Sequence, residues 1–409
     1  MNRREVKRAP VLRFKGFTND WEQRKLIEIL KSPVTDGPHE TPQILKKGVP
    51  FISVEAIVNN KIDFNRKRGY ISFSYNAQCN KKYRPQKKDV LLVKSGSTVG
   101  KVAVVETNTI FNIWSPLAAL RVTNSNDPYF LYYLLQTNTL QRQIINKSKG
   151  GTQPNLSMRI LEQFKIFLPQ NYLNQQKIEQ LLRTLDKCIS LQQRKLKLLR
   201  TLKSGLSFKL FNKKHLNNLS QISLDQIGQT YSGLTGKSKK DFGHGHAFYV
   251  SYLNVNQNEI GNPKQIDRIE IDKKQNLVQK NDIFFTISSE TPEEVGLTSL
   301  WPVSCKNLYL NSFCFGFRIN TKMFIPLYLG YLFRSEYFRE KVLPLAQGIS
   351  RYNLSKNNVL KMKIGQEEIA IQEKYAKVMN DLDSDILRQK KKVKELKLCK
   401  KFLLQNMFI

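Results

Sequence analysis

Histidine, cysteine and acidic side chains are all scarce in this chain of 409 residues. Its 4 histidines, His39, His215, His244 and His246, sit in loop-like contexts without a readable acidic partner, so no nucleophile–histidine–carboxylate set can be assembled. The 5 cysteines, Cys79, Cys188, Cys305, Cys314 and Cys399, are odd in number and scattered, which suits reduced thiols rather than a disulfide framework. No Cys-x-x-Cys or paired-histidine spacing occurs, so His244, His246, Cys305 and Cys314 do not read as a metal site. Long apolar runs are also missing: the densest, 129–135, falls well short of the roughly 18 residues a bilayer span needs. The opening MNRREVKRAP is charged with no apolar stretch behind it, so no secretory signal and a cytoplasmic location are expected.

What is abundant is positive charge. Lys and Arg number 67 against 33 Asp and Glu, a formal net charge of +34. A surface so basic repels itself unless a polyanion or an acidic partner neutralises it. Nucleic acid leads, because interleaved tyrosines and polar loops accompany the charge, and no membrane partner is expected. The length suits two or three domains, and 40% hydrophobic residues suffice for real cores.

The chain is written twice, with a period of about 197 residues. Lys25-Leu-Ile-Glu-Ile29 recurs as Ser223-Leu-Asp-Gln-Ile227, and Gly48 through Asn59 recurs as Gly245 through Asn256. Lys88-Asp-Val-Leu-Leu-Val93 matches Asn281-Asp-Ile-Phe-Phe-Thr286, and the loops GGTQPNLS from Gly150 and GISRYNLS from Gly348 share Asn-Leu-Ser. Runs such as Val90 to Val93, Val102 to Val105 and Phe313 to Ile319 predict strands. Single helices are predicted over Pro128 to Ile145 and Pro326 to Val342, each opened by a proline. Short strands, Phe164 to Leu168 and Met362 to Ile364, then lead into long helices.

From about Asn174 to Ser207 a seam repeats at 3-4 spacing: Ile178, Leu182, Leu185, Ile189, Gln192, Leu196, Leu199, Lys203 and Leu206. The second copy reads Tyr375, Met379, Leu382, Ile386, Gln389, Val393, Leu396, Lys400 and Leu403, with Gln and Lys at the same two places. If the second helix packs along the first it must run back, so an antiparallel pair is expected, with Gln192 facing Lys400 and Lys203 facing Gln389 to fix the register. The fold class is therefore α+β: two similar mixed α/β modules separated by two long antiparallel coiled-coil helices, with a pseudo-two-fold internal repeat. About 34 helical residues span roughly 50 Å, enough to act as a ruler between two stretches of one duplex.

Motifs that carry chemistry fail in detail. Ser95-Gly-Ser-Thr-Val-Gly-Lys101 is one residue short between its glycines for a phosphate-binding loop, and Val102 stands where a magnesium-ligating hydroxyl is required. Asp127-Pro-Tyr129 reads as a helix start, and Asp241-Phe-Gly243 lacks every other kinase element. No catalytic constellation is legible.

The doubled unit, Pro10-Val-Leu-Arg-Phe-Lys-Gly-Phe17 with Trp21-Glu22, the GGTQPNLS loop, Ser288 to Gly296 after its strand, and the two seam helices together resemble the specificity subunit of a type I restriction-modification enzyme. The resemblance implies target recognition domains at 1–170 and 213–365, each reading one half of a bipartite site, and spacer helices at 171–212 and 366–409. It also implies a subunit without chemistry of its own, assembled with two methyltransferase subunits that use S-adenosylmethionine to modify adenine and two endonuclease/translocase subunits that use ATP and Mg. No cofactor is expected on this chain.

The halves differ most in their loops, which predicts an asymmetric double-stranded DNA site. Lys94, Lys101, Lys237, Lys239 and Lys240 are candidate phosphate contacts. Ser97, Thr98, Ser288, Ser289 and Glu290 are candidate base readers, Glu290 as an acceptor from a cytosine amine. The competing reading is a basic nucleic-acid-binding scaffold without sequence preference. The basic run Arg388 to Lys401 is a candidate surface for phosphates or for an acidic partner.

Overall fold

The computed structural model describes residues 9–149 and 153–409. Residues 1–8 of the basic opening segment, and Gly150, Gly151 and Thr152 of the GGTQPNLS loop, lie outside the described residues. The chain divides into two units, one of residues up to 193 joined by 391–409, the other of residues 194–390.

In the first unit a four-stranded sheet runs Thr35–Asp36, Leu117–Leu120, Val90–Val93, Val102–Val104, antiparallel throughout. Val90–Val93 is apolar at every position because both of its faces are covered. Val90 and Leu92 enter the cluster with Phe130, Leu131 and Leu134, while Leu91 and Val93 enter the opposite one with Ile52 and Phe111. A smaller sheet places Val49–Ile52 parallel to Asn112–Ile113 and antiparallel to Gly69–Ile71. Glu22–Lys25 pairs with Lys165–Leu168.

The second unit repeats this plan. Its main sheet runs Gly228–Ser232, Cys314–Ile319, Ile283–Thr286, Thr298–Leu300. Phe242–Val250 lies parallel to Leu308–Leu310 and antiparallel to Ile266–Ile269, and Gln221–Ser223 pairs with Lys363–Gly365. Lys88 (φ +77°) and Asn281 (φ +72°) adopt the same left-handed turn ahead of the two central strands. The α+β class and the internal repeat expected from the sequence are thus present.

The repeat extends to a buried carboxylate. In the first unit Arg121 donates to Asp89 through Nε and Nη2, both at 2.7 Å, and the Tyr83 hydroxyl donates at 2.6 Å. In the second unit Arg318 donates to Asp282 at 2.8 Å through both nitrogens, and the Tyr231 hydroxyl at 2.7 Å. The tyrosines come from different places: Tyr83 ends the helix Phe73–Lys82, whereas Tyr231 lies on the edge strand, where the first unit has Thr35. Burial raises both phenol pKa values, keeping them proton donors to the carboxylate.

Each of the two expected shorter helices is in fact a pair: Pro128–Leu134 with Asn138–Ser148, and Pro326–Leu332 with Glu336–Val342. Thr137 and Ser335 break them by adopting extended backbone at the second helix's N-cap, and their hydroxyls satisfy the carbonyls of Leu134 (2.8 Å) and Leu332 (2.6 Å). Apolar spacing runs through such a break, because both halves bury the same face.

The long helices are Tyr172–Leu210 and Ile369–Asn406. Every seam position named above is buried or half-buried, while the lysines and arginines between them are exposed, apart from the half-buried Arg183. Within the first unit Lys400 Nζ meets Asp186 at 2.8 Å, and Ile178 and Leu182 share a core with Met407 and Phe408, so the two helix segments run antiparallel. Within the second unit Lys203 Nζ lies 2.6 Å from Asp383 while Phe211 meets Tyr375 edge-on, which gives the same direction. Both seam lysines therefore have aspartate partners that the spacing argument does not supply. Among the described residues no helix is long and apolar enough to cross a membrane.

Candidate nucleic-acid interface

In both units the central strand hands the chain to a loop that the Asn-Leu-Ser segment holds in place. In the first, Leu156 N donates to Lys94 O at 2.7 Å and Gly96 N to Pro154 O at 2.9 Å. In the second, Leu354 N donates to Ile287 O at 2.9 Å, and Ser288–Ser289 pairs with Tyr352–Leu354. The same frame thus presents two different loops.

The first loop is a closed turn between strands. Gly96 (φ +92°) and Gly100 (φ +94°) take the left-handed conformation, and the amides of Gly96, Val99, Gly100 and Lys101 bond to carbonyls of the protein itself. Those donors are unavailable to a phosphate, which agrees with the failed phosphate-loop spacing. The loop lines a groove of about 890 Å³, with Ser97, Thr98 and Lys101 on one wall and Asn59, Arg66 and Gln153 completing it. Ser97, Lys101, Arg66 and Gln153 are exposed. Thr98 is half-buried, and its hydroxyl has no hydrogen-bond partner among the described residues.

Asn59, Arg66 and Gln153 are not found by the sequence argument. A signal existed for the first: Asn59-Asn60 separates Ile57-Val58 from Lys61-Ile62, the pattern of a two-residue hairpin turn. The structure forms that hairpin, with Val58 opposite Lys61 and both asparagines at positive φ (+50° and +57°).

Lys94 does not join this surface. It is 8% exposed and its ammonium lies 3.3 Å from Asp36, which also meets Lys82 and His39. A buried ammonium committed to a fully buried carboxylate is a structural pair.

In the second unit the candidates are distributed over two sheets. Lys239 and Lys240 are exposed ahead of the strand Phe242–Val250. Lys237 is engaged by Asp272 at 2.8 Å, and its hydrogen bond holds that carboxyl down at about 2. His244 donates through Nε2 to Lys240 O (2.8 Å) and through Nδ1 to Glu270 (3.1 Å), contacts that raise its pKa. On the other sheet Ser289 donates to Glu294 at 3.1 Å, the Ser288 hydroxyl is buried without a partner among the described residues, and Glu290 is exposed. Among the described residues no group of three or more His, Cys, Asp or Glu could hold a metal ion. Cys314 is buried, which pushes its thiol up to about 12.

A doubled sheet module, two long antiparallel helices and a polar groove built from loops, with Arg66, Lys101 and Glu55 as its charged residues, define a class. Residues 18–201 match the family model described as the type I restriction modification DNA specificity domain. Over its whole length the chain is also similar to the crystal structure of a type I restriction-modification system S subunit from M. genitalium, with TM-score 0.64, 17% identity, and coverage of 98% of this chain and 99% of that one. A second solved chain, from work on complex assembly and conformational transition of the type I R-M system, gives TM-score 0.54 at 12% identity, covering 95% and 97%. The resemblance to type I specificity subunits read from the sequence is borne out: residues 18–201 match the specificity-domain model, and the chain shares the fold of the solved S subunit.

Proposed function

We propose that this chain is the non-catalytic, DNA-reading specificity subunit of a type I restriction-modification complex. Each module reads one half of an asymmetric bipartite site in double-stranded DNA, and the long helices set the gap between the halves and dock two methyltransferase subunits. Those subunits supply S-adenosylmethionine for adenine methylation, and two endonuclease/translocase subunits supply ATP and Mg chemistry. The observation that carries the reading is the pair of different loops, Ser95 to Lys101 and Ser288 to Gly296, held at the same strand exit by the same Asn-Leu-Ser frame. One frame with two surfaces is what an asymmetric two-part site requires.

The test is co-expression with the neighbouring methyltransferase subunit in a host free of DNA methylation, followed by genome-wide mapping of methyladenine. A split, asymmetric motif with one modified adenine on each strand is expected. Co-purification without any motif, together with binding that unrelated DNA competes away fully, would instead favour a scaffold without sequence preference.

A further inference from the structure

The hairpin tip Asn59-Asn60 forms part of the groove wall, and its anchoring reaches the helix seam. Asn60 Nδ2 donates to Gln136 Oε1 at 2.8 Å, and the Tyr132 hydroxyl donates to Asn60 O at 3.1 Å. Gln136 sits at the end of the helix Pro128–Leu134, where its amide nitrogen donates to Tyr132 O at 3.0 Å. The same Gln136 oxygen accepts from Lys400 Nζ at 3.4 Å, and Lys400 also donates to Asp186 at 2.9 Å. A side chain of the second long helix thus reaches a residue that fixes the groove.

The second module solves the same problem with other residues. The place of the hairpin is taken by the helix Tyr252–Gln257, whose carbonyls at Val255 (2.6 Å) and Asn256 (3.0 Å) accept from Arg334. Arg334 occupies the position of Gln136 in the repeat. The seam lysine is again present: Lys203 bonds to Asp383 and to Glu259, two residues beyond that helix. Two unlike segments are therefore each bonded to the residue at the Gln136/Arg334 position and connected to a seam lysine, through Gln136 in the first module and through Glu259 in the second, which argues for a shared requirement rather than a chance contact.

We propose that Lys400 and Gln136 are positioning residues for DNA reading by the first module, tying the Asn59-Asn60 tip to the long helices so that base selection there depends on the helix seam. The inference rests on the groove being that module's DNA face. Neither residue touches a base; both act through the hairpin.

Two measurements test it. The first is amide hydrogen exchange of the purified full chain across residues 57–62. Gln136→Leu, which leaves the Lys400–Asp186 pair intact, should speed exchange there by roughly threefold to tenfold, the worth of one net hydrogen bond, with the core strand Val90–Val93 unchanged. Unaltered exchange at 57–62 in both Gln136→Leu and Lys400→Met overturns the anchoring. The second is the methyladenine map. Both variants should lose discrimination in one half-site while the other half keeps its sequence, and Lys400→Arg should restore it. A wild-type split motif that survives both substitutions unchanged overturns the positioning role. A wild-type map with no motif counts against the specificity-subunit reading instead, and the exchange result still decides the anchoring.

Discussion

Lys203 donates to Asp383 at 2.6 Å from within the second module's half of the helix seam, as Lys400 does to Asp186 in the first. Each aspartate also accepts from a buried tyrosine, Tyr331 at 3.0 Å and Tyr133 at 2.9 Å. The lysine lies over the ring of that same tyrosine, at 5.4 and 5.3 Å. Lysine, aspartate and tyrosine thus lock helix to module twice over.

Replacing only one member of that lock should cost more than replacing two. Lys203→Met leaves Asp383 and Glu259 without their cation, and a loss of about 1–3 kcal/mol in unfolding free energy is expected. Adding Asp383→Leu should recover part of it. Denaturant melts of Lys203→Met, Asp383→Leu and the double variant measure the difference; a double loss equal to the sum of the two single losses would show that the pair is not coupled.

Acidity tunes the first module through Glu179. Burial, and then the nearby Asp127, hold its carboxyl up at about 7, against 4.5 for the free side chain. The native state therefore retains a proton that the unfolded chain releases, so stability falls as pH rises from about 4.5 to about 7. Glu179→Gln should flatten that slope and raise the melting temperature at pH 8. A parallel slope in the variant would reject the placement.

The groove lysine and the buried lysine should behave in opposite ways. Lys101→Ala and Arg66→Ala should each weaken binding to the mapped site and lower the slope of log affinity against log salt by about 0.9. Lys94→Met should leave the slope alone and lower the melting temperature, because it strips a buried carboxylate of one cation. A salt-slope change for Lys94→Met would return that residue to the DNA surface.

Helix length offers a geometric check of the proposed ruler. Removing one heptad from both seams shortens them by about 10 Å, or about three base pairs at 3.4 Å each. The methyladenine map should show the non-specific gap reduced by that amount with both half-sites kept. An unchanged gap would separate the helices from spacing.

The repeat is legible in the sequence because its strongest elements are local. Three or four consecutive apolar residues behind a turn residue, as at Lys88 to Val93 and Asn281 to Thr286, mark a central strand, and seam spacing carries the helices. The groove is less legible because it is assembled from distant segments: nothing along the chain places Arg66 beside Ser97 or Gln153. Lys94 misleads for the same reason. Its partner Asp36 is far away in sequence, and a lysine destined for burial looks like any surface lysine until the sheet brings the two together. The broken helices are an intermediate case, since Thr137 and Ser335 are ordinary capping residues that the continuing apolar pattern conceals.

The carboxylates Asp89 and Asp282 bear on how freely parts of the two modules could be exchanged. Each needs one arginine and one tyrosine, yet the tyrosine arrives from the segment ending at Tyr83 in one module and from the edge strand at Tyr231 in the other. A hybrid with the first module's edge strand and the second module's insert would leave the carboxylate with no phenol; the reciprocal hybrid would crowd two onto it. The halves are alike in blueprint but not interchangeable piece by piece, and a working graft must carry edge strand and insert together.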